Sequence, residues 1–363
     1  MSTAVTTPEL DGARTERFAE RLLGMYTDGL TVLMIDLADR TGLLGALAVG
    51  PGTSADLAAR AGPQERYVRE CLGALVTAGI VTFEVAARSY RLPAEHAACL
   101  TGGGAQDLAP MARVGTVLAS HLPAVAGAFR EGGGVPYEAF RPEFTDMMDG
   151  LSRGLMDSQL IDGILPLAGD LVGRLTAGIR VADLGCGTGH AVTLMARAFP
   201  CSTFVGYDLA ADAIAAARAE AAELAPGNAT FEILDVAALS TVPRFDAICA
   251  FDAIHDQADP SGVLGRAHAA LNPGGTFLMM DVKAASDLED NLDNPAAPWL
   301  YGVSTLHCTT VSLARGGAAL GTVWGERVAR QMLADAGFVD VTVHDVPDDP
   351  LDSVYVARKE ARP

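Results

Sequence analysis

The 363-residue chain is short of three things, and each shortage excludes something. It has no apolar run near the ~20 residues that a membrane-spanning helix needs, so no such span is expected. It is short of basic charge: 26 Lys and Arg stand against 45 Asp and Glu, a formal net charge of -19. That balance is repelled by phosphate backbones and anionic lipid, which argues against nucleic acid or a membrane as the main partner. Its six cysteines, Cys71, Cys99, Cys186, Cys201, Cys249 and Cys308, form no CxxC pair and no Cys/His cluster of zinc spacing. They read as reduced thiols, mostly core filler. The opening MSTAVTTPEL has no basic segment leading into an apolar one, so a secretory signal is not expected and the chain reads as cytoplasmic.

What is present is apolar residue in quantity. Half the residues are apolar, enough for two cores in a chain of this length. Residues 14–48 carry Phe18, Leu22, Met25, Leu30, Leu33, Met34 and Leu37 at helical spacing. Thr53 or Ser54 can cap a short helix through Arg60, and Gly62-Pro63 makes a turn. A helix from about Pro63 to Ala78 follows, then two short alternating strands, Ile80–Phe83 and Ser89–Leu92. Helix, turn, helix and two-stranded wing is the winged-helix pattern. Residues 105–175 read as helical, broken at Gly132–Pro136, with Met111, His121, Tyr137, Phe140, Met147, Met148 and Met156 as core or pocket lining.

After Gly178 the periodicity changes. Strands are expected near 179–184, 203–208, 229–234, 245–251, 275–282, 338–346 and 352–358. Helices are expected near 189–199, 210–224, 259–271 and 324–336, which implies an α/β fold with a mostly parallel, doubly wound sheet. The division expected is 1–100 as a winged-helix dimerisation domain, 101–175 as a helical linker and substrate cap, and 176–363 as the sheet domain.

The first of these strands ends in Asp183-Leu184-Gly185-Cys186-Gly187-Thr188-Gly189 and opens a helix. Glycines there allow a tight turn and close approach of a ligand to the main chain. A dinucleotide loop has the order G-x-G-x-x-G, whose sixth position here is His190. The order D-x-G-x-G-x-G puts an acid before the glycines. It suits a ligand with an ammonium group better than a pyrophosphate, S-adenosylmethionine (SAM) rather than NAD. Asp208 at the end of the second strand can accept from a ribose diol. Asp235 at the end of the third can reach an adenine amine. Each acid could instead cap the helix that follows it.

With the LNPGGTF turn, Leu271–Phe277, these motifs resemble those of class I SAM-dependent methyltransferases over residues 179–358. With the winged helix, the whole chain is similar to actinobacterial winged-helix methyltransferases and, more distantly, to caffeate-type and polyketide O-methyltransferases. The resemblance implies a Rossmann-like sheet of seven strands behind an α-helical winged-helix domain, with SAM as cofactor and S-adenosylhomocysteine as product. It also implies a homodimer, in which the winged helix dimerises and helps close the substrate pocket. The expected cofactor contacts are Asp183, Gly185, Gly187, Gly189, Asp208, Leu209, Asp235, Val236, Phe251 and Asp252.

The fourth strand runs into Asp252-Ala253-Ile254-His255-Asp256-Gln257, at the sheet edge where chemistry sits in such folds. Histidine suits proton removal from a hydroxyl at neutral pH. His255-Asp256 resembles the His-Asp pair of caffeate-type enzymes, in which the His is the base. Those enzymes follow it with Trp, and this chain has Gln257. His307 lies in an insertion, 283–322, long enough for a lid, with Trp299 and Tyr301 as candidate pocket walls. His190, His268 and His344 read as surface or helix residues. Asp281 ends the fifth strand, Asp293-Asn294 only faintly echoes a metal site, and no metal is expected.

Three readings stay open. The first is methyl transfer to a small molecule, to oxygen with His255 as base or to a sulfur that needs no base. The second is a SAM- or metabolite-sensing regulator. It is disfavoured because Arg60, Arg66, Arg69, Arg88 and Arg91 are nearly balanced by Asp56, Glu65, Glu70 and Glu84. The third is a SAM-binding fold turned to other chemistry.

Overall fold

The computed structural model describes residues 10–102, 107–225, 227–347 and 349–361. The first nine residues and residues 105 and 106 of the second helical stretch lie outside the described residues. The chain divides into two compact units, one reaching Gly102 and including Asp107–Thr116, the other running from Val117.

In the first unit, α1 (Gly12–Arg40) and α2 (Leu43–Val49) replace the single helix read over 14–48. The break falls at Gly42, whose φ of 72° suits glycine. Helix α3 (Ser54–Ala61) starts on Thr53, which forms a capping box with Asp56. Helix α4 (Glu65–Thr77) starts two residues later than expected, after Pro63. Strands β1 (Thr82–Glu84) and β2 (Ser89–Arg91) pair antiparallel as the wing, and α5 (Ala94–Leu100) follows. Leu43, Leu44, Leu57, Leu72 and Leu75 form the core. Among the described residues the one buried acid here, Asp36, bonds Arg40 at 2.8 Å and Thr116 at 2.6 Å. Burial opposes its charge, but these donors win and hold its carboxyl below the usual range.

Helix α6 (Ala109–Ala119) carries the chain into the second unit. There α7 (Leu122–Glu131), α8 (Glu143–Gln159) and α9 (Leu171–Ala177) precede the sheet. Strands β3 (Arg180–Leu184), β4 (Thr203–Asp208), β5 (Ala229–Ile233), β6 (Phe245–Phe251), β7 (Leu271–Val282), β8 (Val339–Val346) and β9 (Asp349–Arg358) form one sheet in the order β5-β4-β3-β6-β7-β9-β8. β9 runs antiparallel to both neighbours and the rest are parallel. Helices α10 (His190–Ala198), α11 (Ala211–Leu224), α12 (Pro260–Ala270) and α15 (Gly325–Asp335) alternate with the strands. The insertion after β7 adds α13 (Ala297–Val303) and α14 (Thr309–Ala314), joined by a π-helical turn, Ser304–Cys308.

The central strands are apolar on both faces because helices cover both. Two clusters fill the layers, one around Val181, Cys249 and Leu278, the other around Leu184, Ile248 and Phe277. Cys71, Cys249 and Cys308 are buried as expected, whereas Cys99 and Cys201 are exposed. Strand order reverses between β3 and β6, so a crevice is expected beyond their carboxyl ends.

Phe277 is fully buried, stacked on Phe338 with ring centroids 5.0 Å apart. Phe277→Ala is expected to cost about 3–5 kcal/mol in denaturant unfolding. A loss under 1 kcal/mol would show that the layer is not packed as described.

Candidate active site

Beyond β3 the chain turns through Gly185, Gly187 and Gly189, with φ of 75°, 51° and 75°. The glycines serve different purposes. A Cβ on Gly185 would meet that of Ala253 at 2.5 Å, and one on Gly189 would meet the Phe231 ring at 2.5 Å and Ala217 at 2.6 Å. At Gly187 nothing lies within 4 Å. Gly189 is therefore needed for helix-on-sheet packing, and Gly187 leaves main chain open to a ligand.

Three acids stand at this edge. Asp183 is 2% exposed and its Oδ1 has no partner. Burial, with the nearby Asp208 charge added, pushes its carboxyl up to about 8. Asp208 accepts from the Gly187 amide at 2.9 Å and the Ala210 amide at 2.8 Å, so the acid of one loop shapes the next. Burial outweighs these donors and raises its carboxyl. Asp235 is half-exposed. It accepts from the Ala237 amide at 2.9 Å as the cap of a short 3-10 turn, and its other oxygen lies 3.4 Å from Arg315. Leu209, Val236 and Phe251 sit at the same ends of β4, β5 and β6.

After β6 comes Asp252, held at a φ of 50° that is uncommon for a residue with a side chain. Its buried Oδ1 is unpartnered, and burial followed by the Asp281 charge pushes it up to about 7. His255 is 5% exposed, and its Nδ1 lies 2.8 Å from Asp281 Oδ1. That oxygen also accepts from the Val282 amide at 2.9 Å and the Trp324 indole at 3.0 Å, while Oδ2 has no partner. Burial works against a charged ring, but the Asp281 carboxylate and the neighbouring Cys308 thiol outweigh it and raise His255 well above its ordinary value.

The residue paired with His255 is therefore Asp281, 26 positions away. The ring bonds this carboxylate and not that of Asp256, its neighbour in the motif. Burial pushes the Asp256 carboxyl up to about 6, against the His255 charge that lowers it. Gln257 turns back onto the Ala253 carbonyl at 2.7 Å. Carboxylates do cluster at this strand end: among the described residues, Asp252, His255 and Asp281 offer ligand atoms within 4.8 Å of one another.

His307 lies on the π-helical turn, 1% exposed, with neither ring nitrogen partnered. It stacks on Phe144 at 3.6 Å and 7° and meets Phe140 and Tyr137 edge-on at 4.8 and 6.0 Å. Burial, aided by the charges of His255 and His121, pushes it down to about 3. Leaving such a group unpaired costs about 1–3 kcal/mol. The expected walls Trp299 and Tyr301 are only half-buried, and Trp324, missed by the sequence reading, reaches Asp281 instead. His190 is the first residue of α10, and its ring bridges Glu220 at 2.5 Å and Asp157 at 2.8 Å. A separate cleft of about 940 Å³, lined by Lys283, Asp287, Asn291, Arg327, Arg330 and Tyr355 among others, contains no member of this set.

Residues 175–337 match a methyltransferase-domain family model, and residues 29–102 match an Rv2258c-like winged helix-turn-helix domain. Over 131 residues the chain is 34% identical to a trans-aconitate 2-methyltransferase of Methylobacterium nodulans, covering 36% of this chain and 46% of that one. Over 193 residues it is 28% identical to a SAM-dependent Diels-Alderase of Talaromyces variabilis, covering 49% and 59%. The chain thus spans about half the length of the curated relatives it matches. Two solved structures resemble it throughout at low identity. Human N-acetylserotonin methyltransferase in complex with SAM has TM-score 0.67 at 19% identity, covering 99% of this chain and 100% of that one. The mitomycin 7-O-methyltransferase has TM-score 0.68 at 18%, covering 96% and 100%.

The residues fit that cofactor. The orphaned Asp183 carboxyl suits an ammonium group, the open main chain at Gly187 admits a ligand, and Asp208 keeps lone pairs for hydroxyls. Below pH 8 Asp183 holds a proton that an ammonium ligand must displace. SAM affinity is therefore expected to rise from pH 6 toward pH 7.5, with proton release visible by calorimetry in buffers of different ionisation enthalpy. Asp183→Asn removes the release and weakens binding. Equal release from the variant would mean that another group titrates.

Proposed function

We propose that this chain, a class I SAM-dependent methyltransferase with an N-terminal winged-helix domain, transfers a methyl group to a hydroxyl of a small molecule, with His255 as the general base. The observation that carries this reading is the buried His255–Asp281 pair, one loop from the glycine turn. SAM when bound supplies a methyl group activated on a sulfonium. Asp183 would hold its ammonium end and Asp208 its ribose. Gly185, Gly187 and Gly189 shape the loop, and Leu209, Val236, Phe251 and Asp252 would contribute to the rest of the cofactor site. Asp235, already a cap and a neighbour of Arg315, has a peripheral share.

The proton chemistry follows from the pairing. Asp281 accepts from His255 Nδ1–H, fixing the tautomer and leaving Nε2 to take the hydroxyl proton. Three donors on one Asp281 oxygen hold that carboxylate in place. Its charge raises His255, so the ring is protonated in the resting site and must lose that proton before it can act. A cation bound nearby favours the loss. Activity is therefore expected to climb with pH, and Asp281→Asn is expected to move the acidic limb to lower pH. His255→Ala is expected to lower kcat by about 10²–10⁴ at pH 8, with SAM affinity nearly kept. Transfer of labelled methyl to a low-mass product checks both. Undiminished transfer by His255→Ala would rule out the base and leave sulfur, or proximity alone.

The similarity to a Diels-Alderase supports a second reading, a cofactor-bound fold without methyl transfer. A product isomeric with its substrate, rather than heavier by one methylene, would establish it. A regulator gains little support, because on α4 Arg66 pairs with Glu70 and Arg69 with Glu65, leaving few cations for phosphates.

We further propose a homodimer formed through α1. Phe18, Leu23, Met25, Tyr26, Leu30 and Leu37 are 43–66% exposed along it, an apolar surface beyond what a monomer leaves to water. Sedimentation is expected to give twice the mass of 37.6 kDa, and Leu30→Glu to reduce it. A monomer at micromolar concentration would contradict this.

A further inference from the structure

We propose that Arg315 is a further cofactor-binding residue: its guanidinium closes as a strap over the adenine end of the SAM site, lying on one face of the base while Asp235 accepts from the base's exocyclic amine. The inference rests on the cofactor reading of this sheet edge and not on which atom is methylated. Arg315 directly follows α14. Its Nη2 donates to Glu138 Oε1 at 2.8 Å, and its Nη1 lies 3.4 Å from Asp235 Oδ2. Glu138 belongs to the turn Tyr137–Ala139 ahead of α8, and Asp235 follows β5. One side chain thus joins the insertion, the helical segment before the sheet and the carboxyl edge of the strands.

The backbone beneath the strap is fixed and its tip is not. Ser312 Oγ donates to the Gln257 carbonyl at 2.9 Å and accepts from the Ala319 amide at 3.0 Å, and the Ala318 amide donates to the Ala258 carbonyl at 2.9 Å. Gly317 lies so close to the same loop that a Cβ there would meet the Ala258 Cα at 2.5 Å. The tip is held only by ion pairs between half-exposed groups, which are weak and open at little cost. The two pairs are unequal. Asp235 gives one oxygen to the Ala237 amide at 2.9 Å and has only the slack 3.4 Å contact on the other, so that oxygen can turn to an amine while Arg315 stays with Glu138. Two acids share one cation here, which leaves a negative charge that welcomes a donor. A guanidinium held this way presents a flat cationic face, which stacks on aromatic rings and nucleobases.

The test measures binding without turnover. The full-length protein is titrated calorimetrically with S-adenosylhomocysteine and with S-inosylhomocysteine, in which an oxygen replaces the adenine amine, and the release of labelled S-adenosylhomocysteine is timed after a chase. Arg315→Ala is expected to weaken S-adenosylhomocysteine about tenfold, chiefly through faster release. Arg315→Lys, which keeps the charge and loses the plane, is expected to recover little of this. Wild type is expected to prefer the adenine compound about tenfold, a preference that Asp235→Asn reduces and Arg315→Ala keeps. Arg327→Ala removes an exposed arginine paired with Asp287 and is expected to change neither compound. Thermal melts verify that the variants fold. Unchanged affinity and release in Arg315→Ala, full recovery in Arg315→Lys, or no adenine preference in wild type would overturn the proposal. An equal loss in Arg327→Ala would overturn it too, since surface charge alone would then account for the effect. No acceptor is present, so the result is separate from the role of His255. Weakened binding in Arg315→Ala with no methyl transfer by wild type would discard the catalytic reading and keep the strap.

Discussion

The sheet edge is organised around one buried carboxylate. Asp281 is fully enclosed at the end of β7 and gathers on one oxygen the His255 ring, the Trp324 indole and its neighbour's amide. Such a charge is tolerated only when paired and hydrogen-bonded. The loop after β6 and the start of α15 therefore meet at it, and that convergence sets where His255 can stand. The strained backbone at Asp252 and the orphaned oxygens of Asp252 and Asp281 lie in the same place. Strain and unpaired groups concentrate where a structure gives up stability for function.

On the other side of the strand-order reversal, the glycine loop and Asp208 form a second polar group, with Asp183 beneath. Both groups open on the carboxyl edge of parallel strands, where main-chain amides point outward. The acids exceed the cations here, and burial, with their mutual repulsion, raises the carboxyls of Asp183, Asp252 and Asp256, of which Asp183, at about 8, keeps its proton at neutral pH. A cationic cofactor would displace that proton, which would couple its binding to pH.

Much of this was legible in the chain alone. Every strand of the large sheet was placed within a few residues, because parallel strands read as apolar runs and helices separate them. The glycine turn and His255 stood out by spacing. What could not be read were contacts between distant residues: Asp281 with His255, Trp324 with Asp281, and Phe144 with His307. Adjacency instead pointed to Asp256. Likewise, Gly189 looked like part of a ligand loop, and only the neighbouring Phe231 ring reveals its packing role. The break at Gly42 was hidden because the apolar spacing continues across it.

The most direct test of the central pairing is a histidine-selective 15N NMR titration of the protein with S-adenosylhomocysteine bound, in wild type and Asp281→Asn. The account predicts a His255 signal whose Nδ1 carries the proton throughout and which titrates well above the ordinary histidine range, returning toward it in the variant. A His255 that titrates normally in wild type, or that is unchanged by Asp281→Asn, would contradict it.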